Sequence, residues 1–143
     1  MIYTVSFKGE HVFKLDLQPA QEWFREFLTP ENMKGLENEW AVTVMEDGNP
    51  LLCVGPMVYW QNRALIWTFV SRGLRGRKFL MIHLMARRYL DGLPFRRLEA
   101  TVECDFTAGH RWVKALGFEL EAPRMRAFQV DGQDSALYAM VKK

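Results

Sequence analysis

Apolar and polar residues alternate from the first positions of the chain. Ile2, Thr4 and Ser6 fall on one side of an extended segment and Tyr3, Val5 and Phe7 on the other, which predicts a strand. Phe13, Leu15 and Leu17 alternate against Lys14 and Asp16 and predict a further extended run. The spacing then becomes helical over residues 18–28, where Trp23, Phe24, Phe27 and Leu28 form a stripe and Pro19 sits near the first turn. Thr29 followed by Pro30 predicts a second, short helix start, ending near Asn38. Residues 40–45 and 51–60 read as two strands joined at Asp47-Gly48, a pair that accepts positive φ. The second of these is broken at Gly55-Pro56, where the missing N–H calls for a bulge or an edge. After Gln61-Asn62 a continuous apolar run, 64–70, predicts a third antiparallel strand buried on both faces.

Gly73 and Gly76 interrupt that strand. A helix is predicted over 77–91, with Leu80, Met81, Leu84, Met85 and Tyr89 apolar and His83, Arg87 and Asp91 as a polar stripe. Gly92 is the expected cap, and Pro94 prevents continuation. Residues 97–104 alternate Leu98, Ala100, Val102 and Cys104 against Glu99, Thr101 and Glu103 as a strand. Thr107 is expected to cap a helix running through Leu116, which Gly117 ends. Residues 118–121 and a segment from Gln129 or Ala136 to Val141 predict two closing strands around a polar loop at 130–135. Three antiparallel strands thus lead into a β-α-β unit, whose crossover makes parallel neighbours, so the sheet must splay.

Composition narrows the possibilities. A chain of 143 residues is about one domain, here 1–143, and 49% hydrophobic with 13% aromatic residues excludes a disordered chain. Net charge is +2, too small for a nucleic-acid binder recognised by bulk charge. Arginines nevertheless crowd residues 72–97, while acids dominate 16–47, a distribution suited to a compact anionic ligand; part of it is an ordinary solvated helix face. Cys53 and Cys104 show no C-x-x-C spacing and read as buried structural thiols, and no metal site is expected. No run approaches the ~18 apolar residues of a membrane helix, so a soluble, cytoplasmic protein without a membrane partner is expected.

The turn at Gly73 to Lys78 carries the clearest chemistry. A strand that ends in glycines before a helix exposes unpaired backbone N–H groups, and these with the helix dipole suit a pyrophosphate. Arg72, Arg75, Arg77 and Lys78 add positive charge. The ordinary alternative is a strand-to-helix turn with solvated arginines.

Residues 70–78, the helix after them and Trp112-Val-Lys-Ala-Leu-Gly117-Phe118 together resemble the GNAT superfamily of N-acetyltransferases. The resemblance implies an α/β (α+β) fold: a mixed, mostly antiparallel sheet of six to seven strands, about four helices, and a splay between the fourth and fifth strands. It implies acetyl-CoA (coenzyme A) as the acyl donor, held by the backbone of Phe69 and Val70 and by Arg72, Gly73, Leu74, Arg75, Gly76, Arg77 and Lys78. Aligned with the family, Gly73 stands where Gln or Arg is usual, and Lys78 where a second Gly or Ala is usual. Val113 stands where a Tyr often protonates the leaving thiolate, and the strand over 64–70 carries no carboxylate to act as base. Glu103, Asp105 and His110 are the candidate bases; each has a plain alternative, as a solvated strand residue, a helix cap or a histidine without special role.

Two functions follow. One is an enzyme, an acetyl-CoA-dependent N-acetyltransferase acting on an amine of a protein or small molecule, with the acidic stretch Glu37, Glu39, Glu46 and Asp47 drawing a cationic acceptor. The other is a catalytically eroded binding protein on the same fold. Small members of the superfamily from short-tailed bacteriophages resemble this chain in length and motif, which would make it a host-modifying or virion-associated protein with a host-protein partner in the host cytoplasm. Nucleic-acid binding through the arginines is a weaker third possibility.

Overall fold

Asp47 and Gly48 take φ of 51° and 83°. Positive φ at both central residues is what a two-residue hairpin needs, and it pairs Glu46 directly with Asn49. The strands so joined are β2 (Val42–Glu46) and β3 (Asn49–Trp60). The β2–β3 ladder ends at Val42↔Val54, one residue before Gly55, so Pro56 has no ladder partner in β2 to disappoint. β1 (Ile2–Ser6) covers the other edge of β2, antiparallel. β4 (Arg63–Val70) follows β3.

The computed structural model describes residues 1–17, 21 and 25–143. The helix expected over 18–28, with Trp23 and Phe24 of its stripe, lies for the most part outside the described residues; 25–27 form a 3-10 turn. α1 (Pro30–Lys34) starts as predicted, with Thr29 Oγ1 accepting the Asn32 N–H at 3.1 Å. It stops at Gly35, short of Asn38. Then come α2 (Gly76–Gly92), β5 (Arg97–Glu103), α3 (Thr107–Ala115), β6 (Glu119–Met125) and β7 (Ser135–Val141). The seven strands lie in the order β1-β2-β3-β4-β5-β7-β6. β4 and β5 are parallel, and their ladder ends after three pairs, at Leu65↔Glu99, although both strands run further. This is the splayed, mixed sheet expected from the sequence.

The chain folds as two compact units, residues 1–57 with 67–85, and 58–66 with 86–143; β3, β4 and α2 contribute to both. In the first unit Phe7, Val12, Leu17, Met33, Ala41, Cys53 and Phe69 form the core, with Leu15, Leu28, Leu36 and Trp67 packed on it. The extended run expected around Phe13 is instead a 3-10 helix, Gly9–Lys14. The reason is a close approach: a Cβ on Gly9 would lie 2.8 Å from the backbone of Met33 and Lys34. Burial pushes the Cys53 thiol up to about 11, an inert structural cysteine. Cys104 is half-buried, not buried as expected.

In the second unit β5 pairs with β7 along its whole length, and Leu98 is fully buried. α3 lies against β5, where a Cβ on Gly109 would meet Val102 Cγ1 at 2.9 Å. Gly92 does not take the left-handed conformation expected of a cap. Lys142 closes the end of α2 instead, its Nζ donating to the carbonyls of Leu90 and Leu93 at 2.6 and 2.7 Å.

Candidate functional site

In the first unit, β4 delivers Phe69 and Val70, both buried, to the glycine turn. Gly73 and Gly76 take φ of 84° and 63°, and a Cβ on either would meet nothing within 4 Å. Glycine is required there by backbone conformation, and the space beside it is open. Gly76 opens α2, whose first N–H groups have no intrahelical acceptor. Leu74 is half-buried in the turn.

The four cations at the turn divide sharply. Arg72 is a tether: its Nε and Nη2 donate to Leu17 C=O at 3.2 and 2.9 Å, and Nε lies 3.1 Å from Asp16 Oδ1. Lys78 Nζ pairs with Glu46 Oε1 at 2.7 Å. Arg75 and Arg77 are exposed and have no ion pair among the described residues. They are the side chains available to an anion at the turn.

The end of β4 has two edges. Ser71 N–H donates to Leu51 C=O of β3 at 2.9 Å. On the opposite edge, Val70 N–H donates to Gln21 Oε1 at 2.9 Å, and Gln21 Nε2 donates to Thr68 C=O at 2.7 Å. Arg72 N–H continues that edge by donating to Asp16 C=O at 2.7 Å. One carboxamide therefore satisfies both main-chain groups of β4 that an added strand or an extended ligand would use.

In the second unit, Glu103 ends β5 and is half-buried, and Asp105 is exposed just beyond it. Burial raises the Glu103 carboxyl above its ordinary value, and the neighbouring charges of Asp131 and Asp105 add to the shift. Neither Asp105 nor Thr107 caps α3; Phe106 is the N-cap, without a side-chain bond. His110 has both ring nitrogens engaged. Nε2 lies 3.0 Å from the carbonyl oxygens of Glu103 and Cys104, so it carries the hydrogen and donates. Nδ1 then accepts from the Tyr138 hydroxyl at 2.6 Å. Both ring nitrogens are thus engaged within the unit, and the histidine pins the end of β5. Val113 is buried, as an apolar core residue would be.

The acidic stretch is largely engaged within the molecule. Glu46 holds Lys78, Asp47 lies 3.5 Å from the terminal amine, and Glu37 accepts the Gly9 N–H at 2.9 Å. Among the described residues no group of three or more His, Cys, Asp and Glu is placed to hold a metal, and no helix is long and apolar enough to cross a membrane.

No protein-family model matches the sequence, and no curated protein matches it. Solved structures do match it. Ard1 from Thermoplasma volcanium superposes with a TM-score of 0.76 at 16% identity, covering 99% of this chain and 98% of that one. The ribosomal-protein-S18-alanine N-acetyltransferase from Escherichia coli gives 0.73 at 13%, over 100% and 96%. A spermidine N-acetyltransferase chimera of Vibrio cholerae and hSSAT gives 0.71 at 13%, over 98% and 95%. The fold is the GNAT fold.

Within this GNAT fold, three residues that engage the candidate positions, one in the first unit and two in the second, carry no signal of it in the sequence. Gln21 sits in a stretch read only as helix, and nothing in its local pattern singles out one glutamine. Tyr138 lies 28 residues from His110, on a strand whose pairing only the fold supplies. Asp131 was part of a polar loop, and its influence on Glu103 comes from the β5–β7 register, which pairs Glu103 with Ser135.

Proposed function

We propose that this chain is an acetyl-CoA-dependent N-acetyltransferase whose acceptor is an amine. The observation that carries the reading is the full-length GNAT fold with an open, positive-φ glycine turn at the start of α2. The neighbours named above are called after alanine of a ribosomal protein and after spermidine, both amines, which supports that acceptor class. In this reading the pyrophosphate takes the N–H groups of the turn with Arg75 and Arg77, while Lys78 and Arg72 hold the turn in place. The backbone of Phe69 and Val70 receives the arm and the thioester carbonyl, an electrostatic contribution to the tetrahedral state. The amine nitrogen attacks the carbonyl carbon, the C–N bond forms and the C–S bond breaks. The proton on nitrogen passes to a base; within the second unit, Glu103, with its raised pKa and Asp105 beside it, has the chemistry for that role. The thiolate takes a proton from solvent. His110 holds the carbonyls of Glu103 and Cys104 and thereby positions the base.

Calorimetric titration with acetyl-CoA tests the reading. Saturable binding is expected, and no heat up to ~1 mM ligand would remove it. A second reading, a binding protein that has lost turnover, is favoured by Val113 and by the closure of Val70 N–H. Acetyl-CoA binding without thiol release in the presence of spermidine or an alanine-terminated peptide would select it.

A further inference from the structure

An arm lying along β4 needs the two main-chain groups that Gln21 holds. The carboxamide meets them as a secondary amide would: its oxygen accepts from Val70 N–H at 2.9 Å and its nitrogen donates to Thr68 C=O at 2.7 Å. The rest of the edge is secured separately, by the Leu17↔Ser71 bridge and by Arg72 N–H to Asp16 C=O. Gln21 can therefore leave without the segment around Leu17 leaving with it.

We propose that Gln21 is a resident substitute for a ligand amide, and that acyl-CoA binds along β4 by exchanging an amide of its pantetheine arm for this side chain. The inference rests on the acyl-CoA reading above. Its consequence is selectivity. A ligand carrying an extended amide-bearing arm replaces both hydrogen bonds on entry. A nucleotide without the arm has nothing to replace them with, so it is confined to the glycine turn. Exchange of like for like costs the complex little hydrogen bonding, but the competition lowers affinity for every arm that enters.

The test uses the full chain with coenzyme A and 3′-phosphoadenosine 5′-diphosphate, the nucleotide part alone. In labelled wild-type protein, coenzyme A should shift the Gln21 side-chain amide signals to the position of a solvent-exposed glutamine, while the nucleotide shifts only the turn. Gln21→Ala should bind coenzyme A roughly tenfold more tightly, the equivalent of two modest hydrogen bonds no longer broken, and the nucleotide unchanged. Gln21→Leu, which keeps the volume, should do the same and guards against a variant that fails to fold. Coenzyme A binding with Gln21 unmoved, or with unchanged or weaker affinity in both variants, overturns the inference and leaves the acyl-CoA reading standing. Absence of binding to wild type and both variants overturns the two together.

Discussion

Glu99 shows how much a single residue's role depends on its neighbours. It sits at a position that alternation assigns to the polar side of β5, yet its side chain is only 5% exposed. Arg63 donates to it through Nε and Nη2 at 2.5 and 3.1 Å, and Arg97 Nε through a further bond at 2.6 Å. Arg97 also grips Glu121 at 2.6 and 3.1 Å, and Arg63 stacks over Tyr59 and Trp60 at 4.3 and 5.0 Å from the ring centres. The Arg63 hydrogen bonds are the main reason the Glu99 carboxyl lies below its ordinary value of 4.5; burial opposes them, and Arg97 adds to them. A depressed carboxylate stabilises the fold above its unfolded pKa, and that stability is lost as pH falls through the folded value. Glu99→Gln should cost about 2 kcal/mol at neutral pH, allowing for the arginines' partial exposure. Denaturant melts should show the difference between wild type and variant shrinking below the ordinary carboxylate range. A pH-independent difference would mean that the loss is steric and not ionic.

At the scale of one element, α2 shows how apolar character and burial part company. Leu80, Met81 and Leu84, three of its apolar residues, are 55%, 44% and 54% exposed. Ile82 and Leu90 are the buried anchors at 1% and 3%. Apolar spacing of three and four holds on more than one side of this helix, because Leu, Met and Ile occupy most of its circumference. Periodicity therefore gives the helix but not its rotation, which the sheet sets. Ile82→Ala should cost about 2–4 kcal/mol in chemical denaturation, and Leu84→Ala less than about 0.5 kcal/mol. Equal costs would mean that the exposed side of α2 is covered in solution. Gly73 and Gly76 precede and open the same helix, and their positive φ makes the strand-to-helix turn possible. Alanine at either position should cost about 1 kcal/mol through backbone strain, with no clash to relieve.

For the molecule as a whole, the arginine-rich stretch separates into structural and available charge. Arg63, Arg72, Arg97 and Lys78 are spent on acids of the chain itself. Arg75 and Arg77, at the turn, are not among those ion pairs, nor are Arg87 and Arg88 farther along α2. A compact anion at the turn senses the first two most, since screening by salt confines the influence of an exposed charge to about 10 Å. Arg75→Ala and Arg77→Ala should each weaken coenzyme A binding several-fold at low salt and less at high salt. Arg88→Ala should change it little. Calorimetry at two ionic strengths distinguishes these outcomes from a diffuse attraction, in which all three variants would lose affinity alike.

The strand, turn and helix order was legible because each signal is local: alternation in Ile2 to Phe7, positive φ at Asp47-Gly48, the Thr29-Pro30 cap and the glycines that bracket residues 73–76. Those local rules were enough to imply three antiparallel strands, a parallel crossover and a splayed sheet, and to single out the turn as the candidate for an anion. The 3-10 helix at Gly9–Lys14 was not legible, because a contact with the α1 backbone selected it. Nor were the partners of the site. Gln21 on β4, Tyr138 on His110 and Glu46 on Lys78 are 47–49, 28 and 32 residues apart in sequence. A hydrogen bond depends on angstroms and not on sequence spacing. The sequence therefore determined which groups exist and where the backbone turns, while tertiary structure decided which of those groups are already occupied.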